Sequence, residues 1–142
     1  MHLSKRGEYG LRAMIYLART AEEDQPVTIK TIADNENIPS KFLEQILLNL
    51  KYAGILQSKM GTGGGYYFAR PTDEISLGQI KRVLDGPIAP IRCVSQMAYE
   101  PCGCPDENTC GLRLVMKDVR DAISNILDET TLADIVERVV AI

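Results

Sequence analysis

Apolar positions recur along this chain at helical spacing in several blocks and crowd into short β-forming runs in two others. In residues 3–21, Leu11, Met14, Ile15 and Ala18 repeat at i, i+3, i+4, i+7, with Lys5, Glu8, Arg12 and Arg19 around the remaining surface, which predicts an amphipathic helix. Thr28 can cap a short helix through Ala33 and Asp34, and Asn35 to Asn37 supplies turn residues. Pro39 and Ser40 then open a second helix running to about Tyr52, with Leu43, Ile46, Leu47 and Leu50 on one face and Lys41, Glu44, Gln45 and Leu48 on the other. Two β-rich runs, 55–60 and 66–70, flank Gly61-Thr62-Gly63-Gly64-Gly65 and predict a hairpin with a flexible tip. A nucleotide-binding loop is excluded, because such a loop follows a strand and opens a helix, whereas this one leads into a second strand.

Further along, Ser76 and Gln79 have capping-box spacing ahead of Leu77, Ile80, Val83 and Leu84, and Gly86-Pro87 ends that helix. After an irregular stretch, Leu112, Met116, Val119, Ile123 and Ile126 alternate at spacings of four and three, a coiled-coil seam suited to packing against its twin. Thr131 can cap a last helix with Leu132, Ile135, Val136 and Val139 on one face. The expected architecture is mainly α with a small β-wing. Residues 1–86 form a winged helix-turn-helix domain (28–53 the helix-turn-helix, 54–71 the wing), 87–111 a cysteine loop, and 112–142 a dimerisation helix with a C-terminal helix. In a helix-turn-helix the second helix enters the major groove with its N-terminal residues at base edges. Ser40, Lys41, Glu44 and Gln45 are thereby candidate DNA contacts, with Gln45 suited to adenine and Glu44 to a cytosine amino group. Lys59 in the wing can neutralise phosphate.

Composition changes this picture little. The chain has 142 residues and a formal charge of −3, enough for one compact domain with an oligomerisation arm. Residues 1–70 carry nine Lys/Arg against seven Asp/Glu, a net of +2, and residues 71–142 carry seven against twelve, a net of −5. The asymmetry is compatible with a DNA-binding first half. No apolar run reaches the roughly 20 residues of a spanning helix, and no signal-peptide pattern follows Lys5 and Arg6, so a cytoplasmic protein without a membrane partner is expected. The sole histidine is His2 and no nucleophile, base and orienter constellation appears, so no enzyme is expected.

All four cysteines, Cys93, Cys102, Cys104 and Cys110, fall within one stretch broken by Pro101, Gly103, Pro105 and Gly111. In a reducing compartment such a cluster points to metal binding or thiol redox chemistry before structural disulfides. An iron–sulfur cluster and a structural zinc site both suit four thiolates. Cys102 and Cys104 flank one glycine, and on an extended backbone their side chains would point to opposite sides.

These stretches together resemble the IscR and NsrR family of bacterial winged-helix transcription regulators. The matching residues are Leu3 to Tyr9 with Ala13-Met14, Phe42 to Leu47, and Gly61 to Tyr66, followed by a cysteine loop ahead of a long helix. The resemblance implies a homodimer reading a roughly palindromic double-stranded operator, with operator affinity set by an iron–sulfur cluster, 2Fe–2S in preference to 4Fe–4S. It implies Cys93, Cys104 and Cys110 as ligands, with the fourth position taken by Cys102 or by Glu8 of the partner subunit. The chain departs from the family in two places: Cys93 stands farther upstream than usual with Cys102 additional, and Met60 precedes the glycine run where several relatives carry arginine. The alternatives are a winged-helix regulator with a structural zinc or thiol-redox site, and an iron–sulfur carrier that does not bind DNA.

Overall fold

The computed structural model describes residues 3–22 and 25–142; His2 lies outside them. The first helix, α1 (Lys5–Thr20), begins where Ser4 Oγ accepts the Gly7 N–H at 3.0 Å, a side-chain cap for one of the orphan donors of a helix start. Its buried face is Gly7, Gly10, Ala13, Met14 and Leu17, and it packs on α2 (Ile29–Glu36), α3 (Ser40–Tyr52), α4 (Leu77–Asp85) and α6 (Leu132–Val140). Thr28 caps α2 as expected, accepting from Thr31 N at 3.1 Å. The turn after α2 falls later than the polar residues suggested. Asn35 and Glu36 stay helical, and Asn37 alone takes the left-handed conformation (φ 53°) that ends the helix.

Ile38 then drops into the core, and α3 starts at Ser40, with Leu43, Ile46, Leu47 and Leu50 buried beneath it. The hairpin β1 (Leu56–Lys59) and β2 (Gly65–Phe68) pairs antiparallel from Leu56↔Phe68 to Lys59↔Gly65. A separate antiparallel bridge, Val27↔Tyr66, bonds the wing to the residue before the Thr28 cap of α2, with N···O distances of 2.9 and 2.8 Å. This is a winged helix-turn-helix.

Ser76 caps α4 through Gln79 N at 3.2 Å, but the return half of the expected box is missing, because the Gln79 side chain accepts from Arg70 Nη2 at 3.1 Å instead. The full capping box lies elsewhere, at Thr131 and Asp134 ahead of α6. A two-residue ladder, Ser76↔Thr131, and the fully buried Leu132 fold α6 back onto the domain.

Helix α5 (Gly111–Glu129) stands apart from this core. Among the described residues it buries none of its own, although Arg82 holds Asp128 through two bonds of 2.6 and 2.9 Å at its far end. Its exposed stripe is Leu112 (59 %), Val115 (56 %), Val119, Ala122 and Ile126 (65 %), a run at spacings of three and four. Of the expected seam, Leu112, Val119 and Ile126 are exposed, whereas Met116 and Ile123 are half-buried. No helix among the described residues is long and apolar enough to cross a membrane.

Helices α1 and α4 approach each other closely at Gly10. A Cβ on Gly10 would meet Leu84 Cδ1 at 2.0 Å and Ile46 Cγ2 at 3.3 Å. Overpacking a filled core costs about 1–3 kcal/mol. Gly10→Val should therefore lower the urea midpoint of unfolding by an amount equivalent to about 2 kcal/mol. A midpoint at or above that of the parent chain would mean that Leu84 swings aside without cost.

Candidate nucleic-acid interface and cysteine loop

Ser40, Lys41, Glu44 and Gln45 all face solvent on the first turns of α3, with Phe42 exposed among them and Leu43 buried beneath. The chain therefore presents a polar face at the start of its second helix, as the periodicity required. Pro39 occupies the cap position and, among the described residues, no side chain caps the helix or places acid in its first turn. The first N–H groups of α3 are thus left for an external acceptor, the arrangement that favours an anion such as phosphate. The wing stands alongside. Lys59 is exposed, Met60 is 92 % exposed at the tip, and Tyr66 lies near enough to Glu44 for that carboxylate to raise its hydroxyl above the ordinary range, after the larger effect of burial.

Arg12 of α1 braces this surface from behind, a role its place on a polar helix face gave no means of seeing. Its guanidinium donates to the Glu36 carbonyl and pairs with the Glu36 carboxylate at 3.6 Å and with Glu8 at 3.7 Å. The same guanidinium lies 5.6 Å from the Tyr9 ring centroid, and Tyr9 meets Phe42 of α3 edge to face at 5.6 Å. One side chain thereby ties α1 to the end of α2, and its neighbour ties α1 to the start of α3.

The loop between α4 and α5 is held by side chains reaching backbone carbonyls rather than by a ladder. Lys81, 4 % exposed, donates to Gly86 O at 3.3 Å and Pro87 O at 2.9 Å, and burial lowers its pKa against the opposing pull of Asp85. Arg120 of α5 donates to Val94 O at 2.8 Å, and Arg92 to Cys102 O at 3.2 Å. Cys93 is 3 % exposed, packed with Val94 in a single 3-10 turn, whereas Cys104 is open to solvent. None of the four cysteines is in a disulfide.

The two sulfurs of Cys102 and Cys104 do not point apart. Gly103 turns the backbone at φ 78°, a conformation that suits glycine. The Cys104 N–H then donates to Cys102 Sγ at 3.4 Å. The neighbouring Cys104 thiol lowers Cys102, and Cys102 pushes Cys104 up to about 11, with burial and the charges of Cys102, Cys110 and Cys93 adding to the rise. Glu107 backs the group: Tyr99 Oη donates to one carboxylate oxygen and Cys102 Sγ lies 3.9 Å from the other, and the tyrosine bond holds Glu107 below the ordinary carboxylate range.

Four soft thiolates in one loop are the donor set that iron–sulfur clusters and zinc take. Among the described residues no three His, Cys, Asp or Glu side chains are already closed around a point. Within one chain Glu8 is engaged by Lys5 and Arg12, and the groups that shift Cys102 and Cys104 all belong to the loop.

Comparison with known proteins follows the same outline. The family model Rrf2, described as iron-dependent transcriptional regulator, matches residues 3–138. An rrf2-like HTH-type transcriptional regulator of Rhodobacter capsulatus is 38 % identical over 135 residues, covering 93 % of this chain and 90 % of the relative. The solved structure of CymR, the global cysteine regulator of B. subtilis, superposes with a TM-score of 0.81 at 34 % identity, covering 97 % of this chain and 98 % of that one. That of T. potens IscR gives 0.76 at 30 % identity, covering 98 % and 88 %.

The brace supplied by Arg12 can be tested without DNA. Arg12→Ala should cost about 1 kcal/mol of stability and speed amide exchange at Asn37 and Ile38. Unchanged exchange at both amides would show that burial of Ile38 alone holds the turn.

Proposed function

The chain belongs to the Rrf2 family of transcriptional regulators and acts on DNA as a dimer, and we propose that an iron–sulfur cluster carried by the cysteine loop sets its affinity for a roughly palindromic operator. The observation that carries the proposal is geometric: all four cysteines lie in one loop, and its turn at Gly103 brings the Cys104 N–H onto Cys102 Sγ at 3.4 Å. Cys93, Cys104 and Cys110 supply three thiolates, and the fourth position goes to Cys102 or to Glu8 of the partner subunit. Support for Cys102 comes from the turn at Gly103, which sets its sulfur beside that of Cys104. A two-iron cluster is met by four such ligands. When bound, it supplies a one-electron redox centre whose charge and coordination respond to oxidants and iron supply.

The rest of the chain turns that centre into a regulator. The exposed stripe of α5 pairs with its twin, so the two winged helices are carried on a common spine that begins at Cys110. Ser40, Lys41, Glu44 and Gln45 of α3 read the major groove, the free N–H groups of α3 take a phosphate, and Lys59 of the wing takes another. Two protomers so arranged require a two-fold operator.

A second reading is favoured by the same Cys102–Cys104 contact. A thiol of lowered pKa that accepts from the backbone N–H of a second cysteine two residues on suits thiol–disulfide chemistry, which would make the loop a sensor without metal. Zinc bound by the four thiolates is a third state of the same loop.

Metal content decides among them. Protein purified without oxygen should contain iron and acid-labile sulfide in equal amounts with a visible charge-transfer band. Zinc without colour would replace the cluster with a structural site, and neither metal would leave the thiols themselves as the sensor. On the DNA side, Lys41→Ala should weaken binding to all sequences and reduce the slope of log affinity against log salt by about 1. Glu44→Ala should alter sequence preference, by roughly 1–3 kcal/mol at one base pair. Operator binding unchanged in both variants would remove α3 from the interface.

A further inference from the structure

Arg113 holds a buried polar atom that has no partner. Among the described residues its Nε alone is enclosed by protein without a hydrogen-bond acceptor. Folded chains retain few such donors, and a charged one is more costly to leave unpaired than a neutral one.

Its position narrows what the acceptor must be. Cys110 is the residue that precedes α5, and Arg113 is the third residue of that helix. Helical side chains lean toward the N-terminus and cover the preceding turn. The Arg113 guanidinium follows that rule, reaching back to Glu107 O at 3.5 Å, inside the segment that carries Cys102, Cys104 and Cys110. The helix start adds to the same field. It has no side-chain cap and no acid in its first turn, so its free N–H groups and the guanidinium present positive potential to the loop. Glu107 is close enough to feel Arg113, but one of its oxygens is taken by Tyr99 and the other by Cys102. The polypeptide therefore assembles thiols, a cation and an open helix end, and leaves the anion out.

We infer that Arg113 is the outer-sphere donor to the iron–sulfur cluster, its buried Nε–H and its charge serving the anionic sulfur that the neighbouring cysteines and the cluster present. This role rests on the loop carrying a cluster, as proposed above. Arginine cannot ligate iron as a thiolate does, and its charge is permanent. A hydrogen bond and a positive charge at cluster sulfur favour the reduced, more negative state, and so raise the reduction potential. Arg113 is accordingly a positioning residue that sets the redox poise at which the chain changes state.

The test compares the parent chain with Arg113→Lys, which keeps the charge but lacks the directed Nε–H, and Arg113→Gln, which keeps a polar side chain and loses the charge. Whole chains are purified without oxygen and reconstituted with ferrous iron and sulfide. Iron and sulfide per chain, the midpoint of an optical redox titration, and the unfolding temperature of the metal-free chains are measured. The expected result is equal loading and equal metal-free unfolding temperatures. The midpoint should fall in Arg113→Gln by about 59 mV, the tenfold change in oxidised-to-reduced ratio of a one-electron couple, with Arg113→Lys between. A fully loaded Arg113→Gln chain with the parent midpoint overturns the inference and leaves the cluster standing. So does a failure of the variants alone to load, which would assign Arg113 to assembly, or a lowered metal-free unfolding temperature with an unmoved midpoint, which would assign it to packing. A parent chain that takes up neither iron nor sulfide overturns the cluster itself, and the role of Arg113 with it.

Discussion

The close approach of α1 to α4 is the contact on which the remaining geometry depends. It exists because Gly10 has no side chain to hold Leu84 away, and because Asp85 at the end of α4 accepts from both the backbone N–H (3.1 Å) and the hydroxyl of Ser4. That hydroxyl in turn caps α1. With α1 fixed against α4, its other sides are free to receive α2, α3 and α6 at once. The helix that carries Glu8, Tyr9 and Arg12 is therefore also the one around which the DNA-reading helices are stacked. A small shift of α1 would be felt at the end of α2 through Arg12 and at the start of α3 through Tyr9 and Phe42.

The loop that follows α4 obeys a different logic. It is rich in proline and glycine and has no strand to join, so its backbone groups must be satisfied one at a time. Lys81, Arg92 and Arg120 do so from three elements, donating to carbonyls at Gly86, Pro87, Cys102 and Val94. Cationic side chains suit this task, since each carries several donors and the loop offers carbonyls rather than paired amides. They also leave positive charge around the segment that carries the four cysteines.

Much of the fold was legible in the sequence because it is written in local terms. The helical periods of α1, α3 and α6, the caps at Thr28, Ser76 and Thr131, and the hairpin around the glycine run depend on near neighbours, and the elements appear where those patterns placed them. What escaped depends on distant partners or on one backbone angle. Met116 and Ile123 have coiled-coil spacing, yet which flank of α5 faces outward is set by how Arg82 and Arg120 hold the helix against the body. The side chain of Gln79 was diverted from its cap by Arg70, nine residues upstream. The opposed thiols expected of Cys102 and Cys104 assumed an extended chain, and a left-handed Gly103 removes that assumption. The braces at Arg12 and Arg113 left no periodic trace, because a charged residue on a polar helix face looks the same whether it is solvated or engaged.

The rung between Val27 and Tyr66 has a consequence for how an operator is surveyed. By bonding the hairpin to the residue that leads into α2, it removes the hinge that a two-stranded ribbon would otherwise have at its base. The wing and α3 then travel as one rigid reading head, which grips or releases major groove and flanking backbone together. On the proposed dimer, each half-site would be engaged as a unit, and the adjustable quantity would be the distance and twist between the two heads. A molecule built this way measures DNA as a pair of calipers does, by the span between its jaws and not by the shape of either one.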